Sequence, residues 1–227
     1  FLAFAQRKGT RQISEITVHI IVDFYHDAVY QGVYKKPQVN SHVTDMMQYF
    51  YEKGEVPYGC TIILHYLTHG KGQECFWNQI SDDAHMKIRE YMDSSVTVNI
   101  DTLLGYKNDL LQLHRDNQYS KSYVVVNNRV VDLLMLFLEM NEYAYNPDIA
   151  MVWFEEIRSY LGKQEFSYHR ALCMITEYFH KSQVSLETIY RITPSKFYQL
   201  PEWCFSAAND YVQTKTREEA RSQTTPS

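Results

Sequence analysis

The sequence contains few of the residues that interrupt regular structure. Its 227 residues include 8 glycines and 6 prolines, which disfavours β architectures with many tight turns. No apolar run is as long as the roughly 18 residues that a membrane-spanning helix needs, so no transmembrane segment is predicted. The 4 cysteines form no C-x-x-C pair, and no signal peptide is predicted. We therefore interpret them as reduced thiols of a cytoplasmic protein.

The sequence motifs that are typical of catalytic and cofactor-binding sites are also absent. The sequence has no GxxxxGK, GxGxxG or HExxH pattern and no locally supported Ser-His-Asp arrangement. We therefore predict no enzymatic activity for this chain and no cofactor. The formal net charge of -5 does not suggest a nucleic-acid partner, although local basic patches permit one. The acidic part of the chain is its middle, residues 71–160.

Apolar residues at helical spacing dominate the rest of the chain. The most apolar run is VVDLLMLFLEMNEYAY at 130–145, which predicts a core helix beginning after a cap at Ser120 or Ser122. Helix-start residues Thr17 and Pro147 predict helices over 18–30 and 147–161.

Two β-branched segments, 60–67 and 124–126, resemble strands in isolation, but their continuation into helical patterns favours helix. Asp82 or Asp83 is the predicted cap of a further helix, and additional helices are predicted at 185–191 and 201–220.

This pattern predicts an all-α fold made of two small helical bundles joined by a short linker. The first unit covers residues 1–70, and the GKGQE segment opens a linker with a short helix over 71–98. The second unit covers 99–200. Residues 201–227 are predicted to form a helix and a polar tail that leads to a downstream domain.

Basic side chains coincide with predicted helix starts at two places. Helix starts with Lys, Arg and small polar donors are suited to phosphate contacts. The first set is Lys35, Lys36, Asn40 and His42, and the second is Lys121, Ser122, Asn128 and Arg129. These eight residues are the predicted DNA-binding residues, with an ordinary solvated helix surface as the alternative.

One group of residues has a weak likeness to a metal site. The group is Cys60, His65, His69 and Cys75, in which the two histidines lie four residues apart on one helical face. Its spacing is not a standard zinc pattern. The alternative is an exposed histidine pair beside a core thiol.

The order of helices and turns resembles a known family. FLAFAQRKGTRQISEITVHIIVDFY, followed by a helix that ends MMQYFYEKGEVPY, is similar to the SAM-like, core-binding helical module of tyrosine recombinases, the phage-type integrases. The segment LPEWCFSAANDYV, with TREEARSQTTPS after it, also resembles this family's longer members. The resemblance implies a DNA-binding clamp that holds duplex DNA mainly by its backbone.

The catalytic motif of that family is absent from this chain. It consists of a tyrosine nucleophile with an Arg, a His-x-x-Arg and a second His or Trp, and none of the 9 histidines here is followed by Arg at the third position. The resemblance therefore implies a non-catalytic part of an integrase-like recombinase, with the catalytic domain beyond Ser227. Self-association, or contact with that domain, is a further expected interaction. The alternative function is a helical protein-interaction or scaffold domain that does not bind DNA.

Overall fold

A computed structural model describes most of the chain. The described residues are 1–33, 37–69, 80–94, 101–116 and 119–181, with Ala207, Tyr211 and Thr214. Regular secondary structure in these residues is helical and no β-strand occurs among them, so the all-α prediction is confirmed. None of the described helices combines the length and the hydropathy that crossing a bilayer requires.

The α-helices of this part are numbered here in chain order. They are α1 (Leu2–Arg7), α2 (Val18–Tyr30), α3 (Pro37–Glu52), α4 (Gly59–His69), α5 (Asp82–Ser94), α6 (Asp101–Arg115), α7 (Lys121–Met140), α8 (Pro147–Leu161) and α9 (Glu165–Lys181). Short 3-10 turns lie at Ile13–Glu15 and Gly162–Gln164.

The predicted helices over 18–30 and 147–161 have the observed bounds, and both β-branched segments are helical. The predicted cap of α5 is wrong. Ser81, one residue before Asp82, fills this position, because its Oγ accepts the Ala84 N–H at 3.2 Å. The predicted helix at 185–191 and the GKGQE linker lie outside the described residues.

Helix α7 lies at the centre of the fold. It packs against α2, α4, α6 and α9, and its side chains from Leu133 to Leu138 are fully buried. Ser120 caps its start, with Oγ accepting the Tyr123 N–H at 3.3 Å. The helix ends where Glu142 takes a left-handed conformation with φ of 57°. An apolar helix of this kind is stable because neighbouring helices cover it on several sides.

A single hydrophobic core joins the early and late parts of the chain. Ile21 of α2 and Ile63 of α4 belong to the same cluster as Tyr106 of α6 and Trp153 of α8. The contacts of α4 and α2 with α7 make this connection. The division into two bundles remains a prediction, and the described helices bury their apolar surfaces together.

Candidate nucleic-acid interface

The first predicted DNA-binding set is only partly described. Lys35 and Lys36 lie outside the described residues, and His42 is exposed on α3. Asn40 is half-buried, and its Nδ2 donates to Thr68 Oγ1 of α4 at 3.2 Å. Its amide is therefore engaged in joining α3 to α4, and only part of it faces solvent.

The second predicted set lies along the first half of α7. Lys121 and Ser122 are exposed in its first turn, whereas Asn128 and Arg129 are half-buried. Because helical residues at i, i+4 and i+7 share one side, Lys121, Val125 and Asn128 form a stripe beside Arg129. This half of α7 therefore has an accessible side, in contrast to its buried second half.

Helix α4 connects the two predicted sets. The Thr68 hydroxyl that contacts Asn40 also lies 2.8 Å from His69 Nδ1. The ring of His69 stacks on that of His65, with centroids 5.1 Å apart and planes 26° apart. Contacts thus run from Asn40 through Thr68 and His69 to His65, and the charge of Arg129 of α7 acts electrostatically on His65.

We call this surface the basic face, and it is defined by Asn40, His65, His69, Lys121 and Arg129. Both histidines are exposed. Burial lowers the pKa of His65, and the charges of His69 and Arg129 lower it further, while Asp132 opposes them. The His65 imidazole is consequently easier to keep neutral than an ordinary histidine. Sequence patterns gave no sign of its proximity to Arg129.

A second cation lies near the start of α7. The guanidinium of Arg170, on α9, is centred 5.4 Å from the Tyr123 ring centroid. The ring of Tyr123 also stacks on Tyr119 at 4.7 Å. Arg170 was not among the predicted binding residues, because only the packing of α9 on α7 brings it there.

A polar junction joins α4, α6 and α7 beneath the basic face. Lys107 Nζ lies 2.5 Å from Asp132 Oδ1, and the two side chains are only 14% and 13% exposed. The hydroxyls of Tyr58 and Tyr66 donate to the two oxygens of Asp132 at 3.3 and 3.1 Å. Lys107 Nζ also donates to the Tyr58 oxygen at 2.7 Å.

The two tyrosines of this polar junction keep their hydroxyl protons. Burial raises the pKa values of Tyr58 and Tyr66, and the charge of Asp132 raises them further. Both phenols therefore remain donors to the carboxylate. Sequence reasoning missed the junction, although a single aspartate inside the most apolar run was a usable signal, since buried carboxylates need partners.

A half-buried carboxylate also caps α4. Glu139 Oε2 of α7 accepts the Gly59 N–H at 2.8 Å. Burial raises the pKa of Glu139 to about 7, and this hydrogen bond acts in the opposite direction. A Cβ on Gly59 would lie 2.1 Å from Glu139 Oε2 and 2.9 Å from Val18 Cγ2. Only glycine fits where α4 approaches α7.

The residues of the weak metal candidate are not gathered in the described structure. Cys60 is buried, its thiol lies 3.8 Å from the Ile16 carbonyl oxygen, and burial raises its pKa. His65 and His69 are exposed farther along α4, and Cys75 lies outside the described residues. No group of three or more His, Cys, Asp or Glu side chains in the described part is arranged to hold a metal ion.

Comparisons of the chain with protein-family models, curated proteins and solved structures found no match. The class defined by the described fold is therefore stated in structural terms. It is an all-α domain with a central helix, α7, whose second half is buried and whose first half is partly exposed.

Proposed function

We propose that this chain is a non-catalytic, DNA-binding clamp region of an integrase-like site-specific recombinase. The observation that carries the proposal is that contacts through Thr68 and His69 join Asn40 to His65, whose pKa also responds to the charge of Arg129 in the second set. If the two predicted sets lay on unconnected parts of the fold, they would not indicate a single binding surface.

The chemistry of the basic face suits the phosphate backbone of duplex DNA. Lys121 and Ser122 lie in the first turn of α7, where backbone N–H groups and the helix dipole favour an anion. Arg129 supplies a planar donor on the same half of the helix. Such contacts position a duplex without reading its sequence, and their strength depends on salt.

The overall negative charge would restrict where DNA can bind. The net charge of -5 disfavours association with a polyanion, and the basic face offers a local exception. The proposal therefore predicts one orientation of the duplex, across α4 and the first half of α7. Strand exchange would belong to a separate catalytic domain of the recombinase.

Substitution of individual cations tests the location of the surface. Fluorescence anisotropy with a labelled duplex should show that Lys121→Ala and Arg129→Ala each weaken affinity at low salt by about threefold to tenfold. Lys163→Ala, which removes an exposed lysine on the turn between α8 and α9, is the matched control and should leave affinity unchanged. Circular dichroism should verify that Arg129→Ala keeps its helices. Equal effects of all three substitutions would refute the proposed surface.

The alternative, a helical protein-interaction domain, is favoured by a different observation. Tyr160 and Phe166, on either side of the turn between α8 and α9, are 57% and 45% exposed. Aromatic side chains exposed in this way are common at protein interfaces. Size-exclusion chromatography with light scattering should then show self-association that Tyr160→Ser and Phe166→Ser reduce, with no DNA affinity.

A further inference from the structure

The exposed histidine pair on α4 has the features of a metal chelate. His65 and His69 are one helical turn apart, both are exposed, and their ring centroids are 5.1 Å apart. Two imidazoles bind one ion when the in-plane nitrogen lone pairs of both rings point to it, at metal–nitrogen distances of about 2.0–2.1 Å. The two rings are stacked with planes 26° apart, so at least one of them has to turn about its side-chain torsions to reach a shared ion, while the helix stays in place.

Thr68 is a hydrogen-bond partner that can orient His69 for such a site. Its hydroxyl lies 2.7 Å from the Leu64 carbonyl oxygen and donates its single proton there. When its proton is directed to Leu64, the Thr68 oxygen accepts from His69 Nδ1, which lies 2.8 Å away, and Nε2 keeps its lone pair for a ligand. Metal-binding histidines are typically oriented in this manner by a second hydrogen-bond partner.

We propose that His65 and His69 form an open binding site for one divalent transition-metal ion, with water completing the coordination. Imidazole nitrogens suit copper, nickel and zinc, and the usual order of affinities places Cu²⁺ above Ni²⁺ and Zn²⁺. This site differs from a closed site with four protein ligands, because Cys60 is buried in the core. The proposal is independent of DNA binding.

The charges near His65 and His69 provide a test that separates metal binding from DNA binding. Arg129 and Asp132 both interact with His65, and they act in opposite directions on its pKa. A nearby guanidinium repels a metal cation, so its removal should strengthen metal binding. Arg129→Ala is therefore expected to tighten metal binding, whereas the proposed function predicts that it weakens DNA binding. The two proposals can fail separately.

Isothermal titration with Ni²⁺, on the chain without an added histidine tag, tests the site. One equivalent should bind, and His65→Ala and His69→Ala should each weaken binding at least about tenfold, because a single imidazole loses the chelate advantage. His42→Ala, which removes an exposed histidine on α3, should have no effect. Thr68→Val should cause a smaller loss, up to about tenfold.

The results that would overturn the metal site are equally specific. Absence of Ni²⁺ binding, or binding that both histidine substitutions leave intact, contradicts it. Binding that disappears in Cys60→Ser or Cys173→Ser would show that a thiol is the ligand. Unchanged or weaker affinity in Arg129→Ala would contradict the arrangement of charges. Circular dichroism of each variant should confirm that the helices are retained.

Discussion

Glu139 shows at the scale of one residue how burial and a hydrogen bond compete. Its carboxylate is taken from water, which favours the protonated form, while the Gly59 N–H favours the ionised form. Burial has the larger effect, and the pKa rises from 4.5 to about 7. The carboxylate therefore caps α4 and also makes the fold sensitive to pH.

Stability should depend on the ionisation of Glu139. Because the folded state holds the proton more tightly than the unfolded chain, its contribution is fully present below pH 4.5 and is lost as the pH rises to about 7. Glu139→Gln should be more stable than the original chain at pH 8, by up to about 3 kcal/mol, and should match it near pH 5.

Chemical denaturation at the two pH values measures this difference. Glu142→Gln, which changes an exposed glutamate three residues away, is the control and should not alter the pH profile. A Glu139→Gln variant that is equally less stable at both pH values would show that the carboxylate is needed in its ionised form.

At the scale of helices, the stability of α7 depends on its N-terminal cap and on the largely buried ion pair between Lys107 and Asp132. Ser120 satisfies one free N–H of the first turn, whereas Ser122 is exposed and has no such role. The sequence offered both serines as caps, and the hydrogen bond assigns the position to Ser120.

Removal of the cap should destabilise the fold moderately. Ser120→Ala should lower the free energy of unfolding by about 1 kcal/mol, since it leaves the Tyr123 N–H without its partner. Ser122→Ala should change it by less than about 0.5 kcal/mol. Urea denaturation of both variants measures the contrast, and a larger effect of Ser122→Ala would contradict the assignment.

The polar junction should be more sensitive than the cap. Asp132→Asn leaves Lys107 without its counter-charge between α6 and α7. This change should lower the free energy of unfolding by about 3 kcal/mol. The double variant Lys107→Met, Asp132→Asn should be less destabilised than the sum of the two single changes, because no unpaired charge remains. Asp45→Asn on the exposed side of α3 is the control. Strictly additive effects in a thermal or urea denaturation series would rule out the coupling.

Local signals predicted the helices, and only tertiary packing revealed the site. Pro147 fixes φ in the first turn of α8, and Gly162 ends the helix because glycine readily takes the positive φ of 51° found there. Tyr58 and Asp132, in contrast, are 74 positions apart and meet through the packing of α4 on α7. No pattern within a short window contains that information. The same reason explains why the proximity of His65 to Arg129 could not be predicted.

At the scale of the whole molecule, one buried helix organises both the core and the proposed binding surface. The second half of α7 is enclosed by its neighbours, while its first half presents Lys121 beside the exposed side of α4. Substitution of the exposed Lys121 should therefore change DNA binding and leave stability nearly unaltered. A substitution in the buried second half of α7 should lower stability and leave DNA binding by the folded protein nearly unaltered.

Binding of the chain to duplex DNA over a range of salt concentrations tests the central proposal most directly. We expect measurable affinity at about 50 mM salt and a linear fall of log affinity with log salt, with a slope of about -2 for contacts by Lys121 and Arg129. The slope should become less steep by about 1 in Lys121→Ala. Absence of binding at low salt, or an affinity that does not change with salt, would contradict the DNA-clamp account.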